Sequence, residues 1–179
     1  MNLEETYKVL QEFGKRVRHQ ARLNLSKKDK NVSKELWESI DSDASVSKNS
    51  LSMDFYMNPY GMFQNFGVKG TESGKSLRGY SYKKSSNLVG VEYHTGALAK
   101  WAKFRGMQPR DKKGRFGSYK TMGFILANTI KKKGIKPSLF FTKPFEAAFI
   151  DLPNELVEAF DLDLDTFIDF TLKDNLNNE

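Results

Sequence analysis

An α+β fold is predicted here, with a small antiparallel sheet packed against a long N-terminal helix and further helices. Three observations predict it. Leu3, Tyr7, Leu10, Val17, Ala21 and Leu25 share one helical stripe at the start of the chain. Leu51, Met53, Phe55 and Met57 alternate with Ser52, Asp54, Tyr56 and Asn58, which puts the large apolar groups on one face of an extended segment. The step Asn58–Pro59 then converts that period into a helical one, with Tyr60, Phe63 and Phe66 on a stripe and Gly67 as its stop. This strand-to-helix corner is expected to bury its aromatic side chains. Long basic loops and an acidic helical C-terminal extension complete the predicted architecture.

The elements follow in order. The first helix spans residues 3 to about 25, flanked by Val9 and Phe13; Glu4 and Glu5 lie at its positive end and Lys27 and Lys28 near its negative end, and Gly14 is its weak point. Ser33 is placed to cap a short helix carrying Leu36, Trp37 and Ile40. Asp41 to Ser45 ends it, and a strand through Ala44 and Val46 turns at Lys48 to Ser50 to pair with the alternating strand. Val68 to Asn87 has the composition of a long mobile loop or loose hairpin, with strand-like residues from Leu88 to Tyr93. Thr95 is placed to cap a helix over Gly96 to Arg105, ended by Gly106. A second basic loop leads to a helix over Tyr119 to Lys133, with Met122, Ile125, Leu126 and Ile130 inward and Lys131, Lys132 and Lys133 complementing its C-terminus before Gly134. Lys136 to Pro144 suggests a short edge strand, and the remainder two or three short helices. In domain terms, residues 1–150 form the α+β domain with a basic loop or hairpin insertion at 68–96, and 151–179 form the extension.

A chain of 179 residues with 39% hydrophobic and 13% aromatic content is globular and large enough for a real core. The absence of cysteine excludes a disulfide framework, a thiol nucleophile and a thiolate metal site. The N-terminal residues have no export signature and no stretch is apolar enough to span a bilayer, so no membrane partner is expected. Charge is strongly segregated. Residues 1–60 carry ten Lys and Arg against nine acids, residues 61–144 eighteen against three, and residues 145–179 one against ten. Blocks of +15 and −9 attract polyanions and polycations respectively, and can attract each other within or between chains.

Several patterns resemble chemical motifs. KGTESGKS at Lys69 to Ser76 has the Gly-Lys-Ser end of a phosphate loop, but lysine occupies the position of the first glycine, and neither a buried strand before it nor a helix after it is expected. A nucleotide hydrolase would need Lys75 on the phosphates. Asp161, Asp163 and Asp165 repeat the spacing of calcium-loop ligands, yet Thr166 stands where glycine is needed and Leu172 where the closing acid belongs; these acids suit the N-terminus of the last helix instead. His19 and His94 have no carboxylate or serine at catalytic spacing, and Trp37 and Trp101 fall at core positions. Neither a catalytic residue nor a metal or cofactor is expected. The basic loops carry more: Lys69, Lys75, Arg78, Lys83 and Lys84 in one, Arg110, Lys112, Lys113 and Arg115 in the other, interleaved with Tyr80, Tyr82 and Phe116. Such loops can follow a phosphate backbone without reading bases, or form a solvated surface.

Taken together and in this order, the elements resemble the neck or tail-completion proteins of tailed bacteriophages, which connect head to tail. LWESI at Leu36 to Ile40 is similar to that family's Leu-x-x-Ser-Ile, and YGMFQNFG at Tyr60 to Gly67 to its Tyr-Ala-x-x-x-Glu-Phe-Gly corner, with Asn65 in place of the acid. GIKPSLFFTKPFEAAF at Gly134 to Phe149 resembles its Arg-Pro-Phe-Leu-Arg-Pro-Ala segment. The resemblance implies a non-enzymatic virion protein, made in the host cytoplasm, that forms a homo-oligomeric ring between the portal or connector and the tail. Its lumen would pass genomic DNA with weak nonspecific contact. On that expectation the basic loops face the lumen or a neighbouring protein, and an acidic tail carrying Asp161, Asp163, Asp165 and Asp169 faces the next subunit. The alternative from charge alone is a sequence-nonspecific DNA-binding protein.

Overall fold

The computed structural model describes residues 3–27, 34–47, 50–82 and 91–176. In chain order the elements are α1 (Glu4–Lys27), α2 (Glu35–Ser39), β1 (Asp41–Ser47), β2 (Ser50–Tyr56), α3 (Tyr60–Phe66), β3 (Val68–Lys69), α4 (Val91–Phe104), α5 (Tyr119–Lys133), β4 (Gly134–Ile135), α6 (Thr142–Phe149) and α7 (Leu152–Leu176). They form two compact units, Met1–Asn58 with Phe140–Glu179, and Pro59–Leu139. The α+β class holds. The acidic segment belongs to the first unit, and the second unit lies in sequence between that unit's two parts.

In the first unit α1 is the spine. Thr6, Leu10, Phe13, Gly14, Val17, Ala21 and Leu25 are buried along it. Leu10, Val17, Ala21 and Leu25 belong to the expected stripe, Leu3 and Tyr7 are half-buried, and Phe13, expected to flank the stripe, sits at the centre of the buried face. The hairpin β1–β2 lies against α1 in antiparallel register, Asp41 opposite Tyr56 and Ser47 opposite Ser50. It comes so close at Gly14 that a β-carbon there would collide with Ser42 and Met53, so the residue that weakens the helix makes room for the sheet. Alternation in β2 holds from Met53 onward, while Leu51 is exposed. The strand β1 starts at Asp41, earlier than Ala44, and Lys48, Asn49 and the capping residue Ser33 lie outside the described residues.

Phenylalanines close this core. The Phe13 ring meets Phe55, Phe145 and Phe149 edge-on at centroid distances of 6.0, 5.7 and 6.5 Å, and Phe141 and Phe145 stack at 6.1 Å. Each such pair adds about 0.5–1.5 kcal/mol to the burial itself. At the other end of α1, Ala21, Leu25, Leu36, Ile40 and Phe140 form a second cluster, with Trp37 packed against it and Arg22 over the indole at 4.5 Å. The remainder, expected as two or three short helices, is two: α6 and a single α7 of 25 residues that holds the acidic segment and runs along α1. Leu152, Ala159 and Asp163 are its buried residues.

The second unit is built on α4 packed along α5. Among the described residues the fully buried positions of the two helices are small, Ala102, Gly123 and Ala127, with Leu98, Trp101, Met122, Leu126 and Ile130 half-buried. Ile125, expected inward, is 42% exposed beside Phe124 at 48%. The helix α4 begins at Val91, so the strand-like reading of Val91 to Tyr93 and the cap at Thr95 give way to helix, and residues 83–90 lie outside the described residues. Its stop at Gly106 (φ 64) and the limits of α5 are as expected: the Ser118 hydroxyl accepts from the Thr121 N–H at 3.1 Å, and Gly134 ends the helix. The corner helix α3 differs from expectation in its packing. Tyr60 and Phe63 are 40% and 43% exposed, and Gly61 and Asn65 are the buried residues. The Asn65 carbonyl accepts from the Ser138 and Leu139 N–H groups at 3.1 and 3.0 Å. Gly67 has φ 75, and a β-carbon there would meet the Ile135 carbonyl and the Pro137 ring at 2.7 Å. The segment expected as an edge strand from Lys136 is irregular; β4 precedes it and pairs Val68 with Ile135 and Lys69 with Gly134.

Candidate functional site

The start of the first basic loop is laced to the end of α5. After β3, the Thr71 N–H donates to the Lys131 carbonyl at 2.9 Å, and the Glu72 and Ser73 N–H groups to the Lys132 carbonyl at 3.0 and 3.2 Å. These are the amides that a phosphate loop would aim at phosphate. Here the negative end of a helix occupies them, satisfying carbonyls that α5 cannot pair internally. Glu72 adds an ion pair with Lys132 at 3.1 Å. The resemblance to a phosphate loop therefore resolves into a helix C-cap.

Beyond it the chain folds back. The Leu77 N–H donates to the Phe66 carbonyl at 2.9 Å, the Tyr80 ring meets Phe63 edge-on at 5.0 Å, and Lys69 exchanges backbone bonds with Tyr80 and Tyr82 at 2.8 and 3.0 Å. Burial raises the Tyr82 phenol above its ordinary pKa. The Arg78 guanidinium lies over the Phe66 ring at 4.4 Å. Lys69 and Lys75 are exposed, and Lys83 and Lys84 lie outside the described residues.

The second basic loop is organised by an acid that composition does not single out. Asp111 accepts from the Lys113 and Arg115 N–H groups at 2.8 and 2.9 Å and from the Arg115 side chain at 2.9 Å. The Arg115 backbone bond, then its side chain, holds the Asp111 carboxyl below its ordinary value. Arg110 bridges to Phe116 and lies over its ring at 4.3 Å. The turn thus presents Lys112 and Lys113 outward on a defined frame, with Phe116 itself 63% exposed. Lys69, Lys75, Lys112 and Lys113 make no ion pair among the described residues, whereas Arg115 is committed to Asp111.

The second unit holds seventeen Lys and Arg against three acids, a net of +14, and the first twelve against nineteen, a net of −7. The charge boundary coincides with the structural one.

The four aspartates of α7 expected at a subunit interface, Asp161, Asp163, Asp165 and Asp169, divide. Asp161, Asp165 and Asp169 are exposed, well inside the helix rather than at its N-terminus. Asp163 is 4% exposed and turned toward α1, where its carboxylate accepts from the Glu5 N–H at 3.0 Å, the Thr6 N–H at 3.0 Å and the Thr6 hydroxyl at 2.7 Å. It caps α1 from a different helix, so it does not stand on a subunit surface. Burial opposes its charge, but the bonds from Thr6, Glu5 and Glu4 outweigh that and hold its pKa below the ordinary value. A matching pair fixes the other end: the Arg16 guanidinium donates to both oxygens of Glu155, at 2.9 and 2.5 Å.

His19 lines a shallow groove of about 550 Å³ with Lys15, Arg16, Arg18, Arg22, Leu23 and Trp37. Its cations are already engaged: Lys15 with Glu12, Arg16 with Glu155 and Arg18 with Asp41. The side chain of His94 lies outside the described residues. Among the described residues no cluster of three His or acidic side chains is placed to hold a metal, and no helix is long and apolar enough to cross a membrane. No family model, curated protein or solved structure matches the chain.

Proposed function

We propose that this chain is a structural subunit of a phage neck, forming a homo-oligomeric ring between the portal or connector and the tail through which DNA passes. The observation that carries this reading is the coincidence of charge with architecture: a +14 unit and a −7 unit on one chain. Units of opposite charge on identical subunits favour a heterologous contact, which closes into a ring when the rotation permits. The lysines at 69, 75, 112 and 113 stand on framed loops suited to weak, sequence-independent contact with a phosphate backbone or a neighbouring virion protein. The motif order LWESI, YGMFQNFG and GIKPSLFFTKPFEAAF supports the same assignment.

Purified protein, alone and with portal or tail proteins, should form rings visible by electron microscopy and give a discrete multiple of the 20.5 kDa chain mass. A chain that stays monomeric with every partner would overturn the reading. Removal of residues 151–179 is not a clean test of the acidic face, because it also strips Leu152, Ala159 and Asp163 from the core.

The second reading, a free nonspecific DNA-binding protein, draws on the same exposed lysines and on Arg78 and Arg110 stacked over aromatic rings. It requires tight duplex binding without assembly. A channel needs weak binding, since strong contact would impede passage.

A further inference from the structure

We propose that the outward side of α7 docks on the α5 face of a second copy of this chain. This inference rests on the ring reading above and names the two faces that would make its contact. Around α7, Leu152, Ala159 and Asp163 face α1. About a third of a turn away, Val157, Phe160, Leu164 and Ile168 follow at helical spacing, 62%, 45%, 38% and 45% exposed. Next to that row run Asp161, Asp165 and Asp169, four residues apart and exposed. Like charges at this spacing destabilise a helix by themselves, so a cationic partner would relieve a standing repulsion.

The same chain carries the complement. On α5, Phe124 and Ile125 are exposed between Lys120 and Lys132, which are exposed too. The unit around them is the one with net charge +14. An apolar row edged with acid thus has a counterpart in an apolar face edged with base. Because the two faces differ and sit on separate units, each copy can donate its α7 to one neighbour and accept α7 from another.

Charge reversal on the full chain tests this. One variant carries Asp161→Lys and Asp165→Lys, the other Lys120→Glu and Phe124→Glu; all four positions are exposed, and circular-dichroism melting checks that each variant folds. By sedimentation velocity at low salt, each variant alone should self-associate more weakly than wild type by about tenfold or more, and mixing the two should restore assembly. Rings that persist unchanged in both single preparations would overturn the docking and leave the ring reading intact. Wild type that never self-associates would overturn both, including the case in which α7 binds only a different protein.

Discussion

Replacing Asp163 by alanine removes an acceptor shared by three donors at the start of α1 and should cost about 2 kcal/mol, read as a lowered urea midpoint with unchanged slope. The effect is also linked to pH. With the folded pKa below the ordinary value of about 3.9, the stabilisation is complete above that pH and is lost as pH falls through the folded value. Melting curves of wild type and Asp163→Asn should therefore converge on acidification below about pH 4; parallel curves would assign the acid sensitivity elsewhere. Phe13→Ala, at the hub of the aromatic cluster, should cost about 3–5 kcal/mol. Gly67→Ala, at φ 75 with the Ile135 carbonyl and Pro137 in the way, should cost about 2 kcal/mol or more by thermal denaturation. The stripe through Leu10, Val17, Ala21 and Leu25 and the stop at Gly67 were legible because periodicity and backbone freedom are local, whereas the hub role of Phe13, expected only to flank the stripe, depends on partners up to 136 positions away. The role of Asp163 was not: helix termini favour acids in general, but the terminus it serves is 157 positions away, and α1 took the part expected of the last helix.

Among the elements, α5 could be read to its ends because its apolar spacing, a basic last turn and a terminal glycine agreed; the cap at Ser118 comes from the structure. The helix α4 was harder to read because Val89, Val91 and Tyr93 favour a strand by composition, and packing along α5 overrides that preference. The helix α7 is longer than the short helices expected, because a run of aspartates has poor helix propensity; α1 supplies the packing that carries it through. Both basic loops were expected to be mobile, since neither α5 carbonyls nor the reach of Asp111 can be counted from composition. Asp111→Ala should speed amide exchange at Lys113 and Arg115 while leaving the global melting temperature unchanged. Ser118→Ala removes the side-chain cap of α5 and should lower stability by about 1 kcal/mol.

At the scale of the molecule, segregated charge makes self-association and DNA contact respond to salt in the same direction, so salt alone cannot separate them. Substitution can. Lys112→Ala with Lys113→Ala should weaken any duplex binding uniformly across sequences and reduce its log–log salt slope by about 2 while leaving ring formation intact. Filter binding and mass measurement on the same preparation check both halves. The charge blocks were visible in the sequence, but their assignment to separate structural units required the fold, because the acidic segment joins the N-terminal helix across the whole inserted unit.

That discontinuity also sets a schedule for synthesis. When α1 and the β1–β2 hairpin leave the ribosome, the phenylalanines and leucines that close their core, from Phe140 onward, have not been made. At roughly 5–20 residues per second, the spine waits several seconds with Phe13 and Val17 covered only by the hairpin's Met53 and Phe55, while the inserted unit has all its residues and is free to fold first. The nascent N-terminal third is thus the segment most in need of a chaperone, and stalled chains ending before Phe140 are the ones to aggregate.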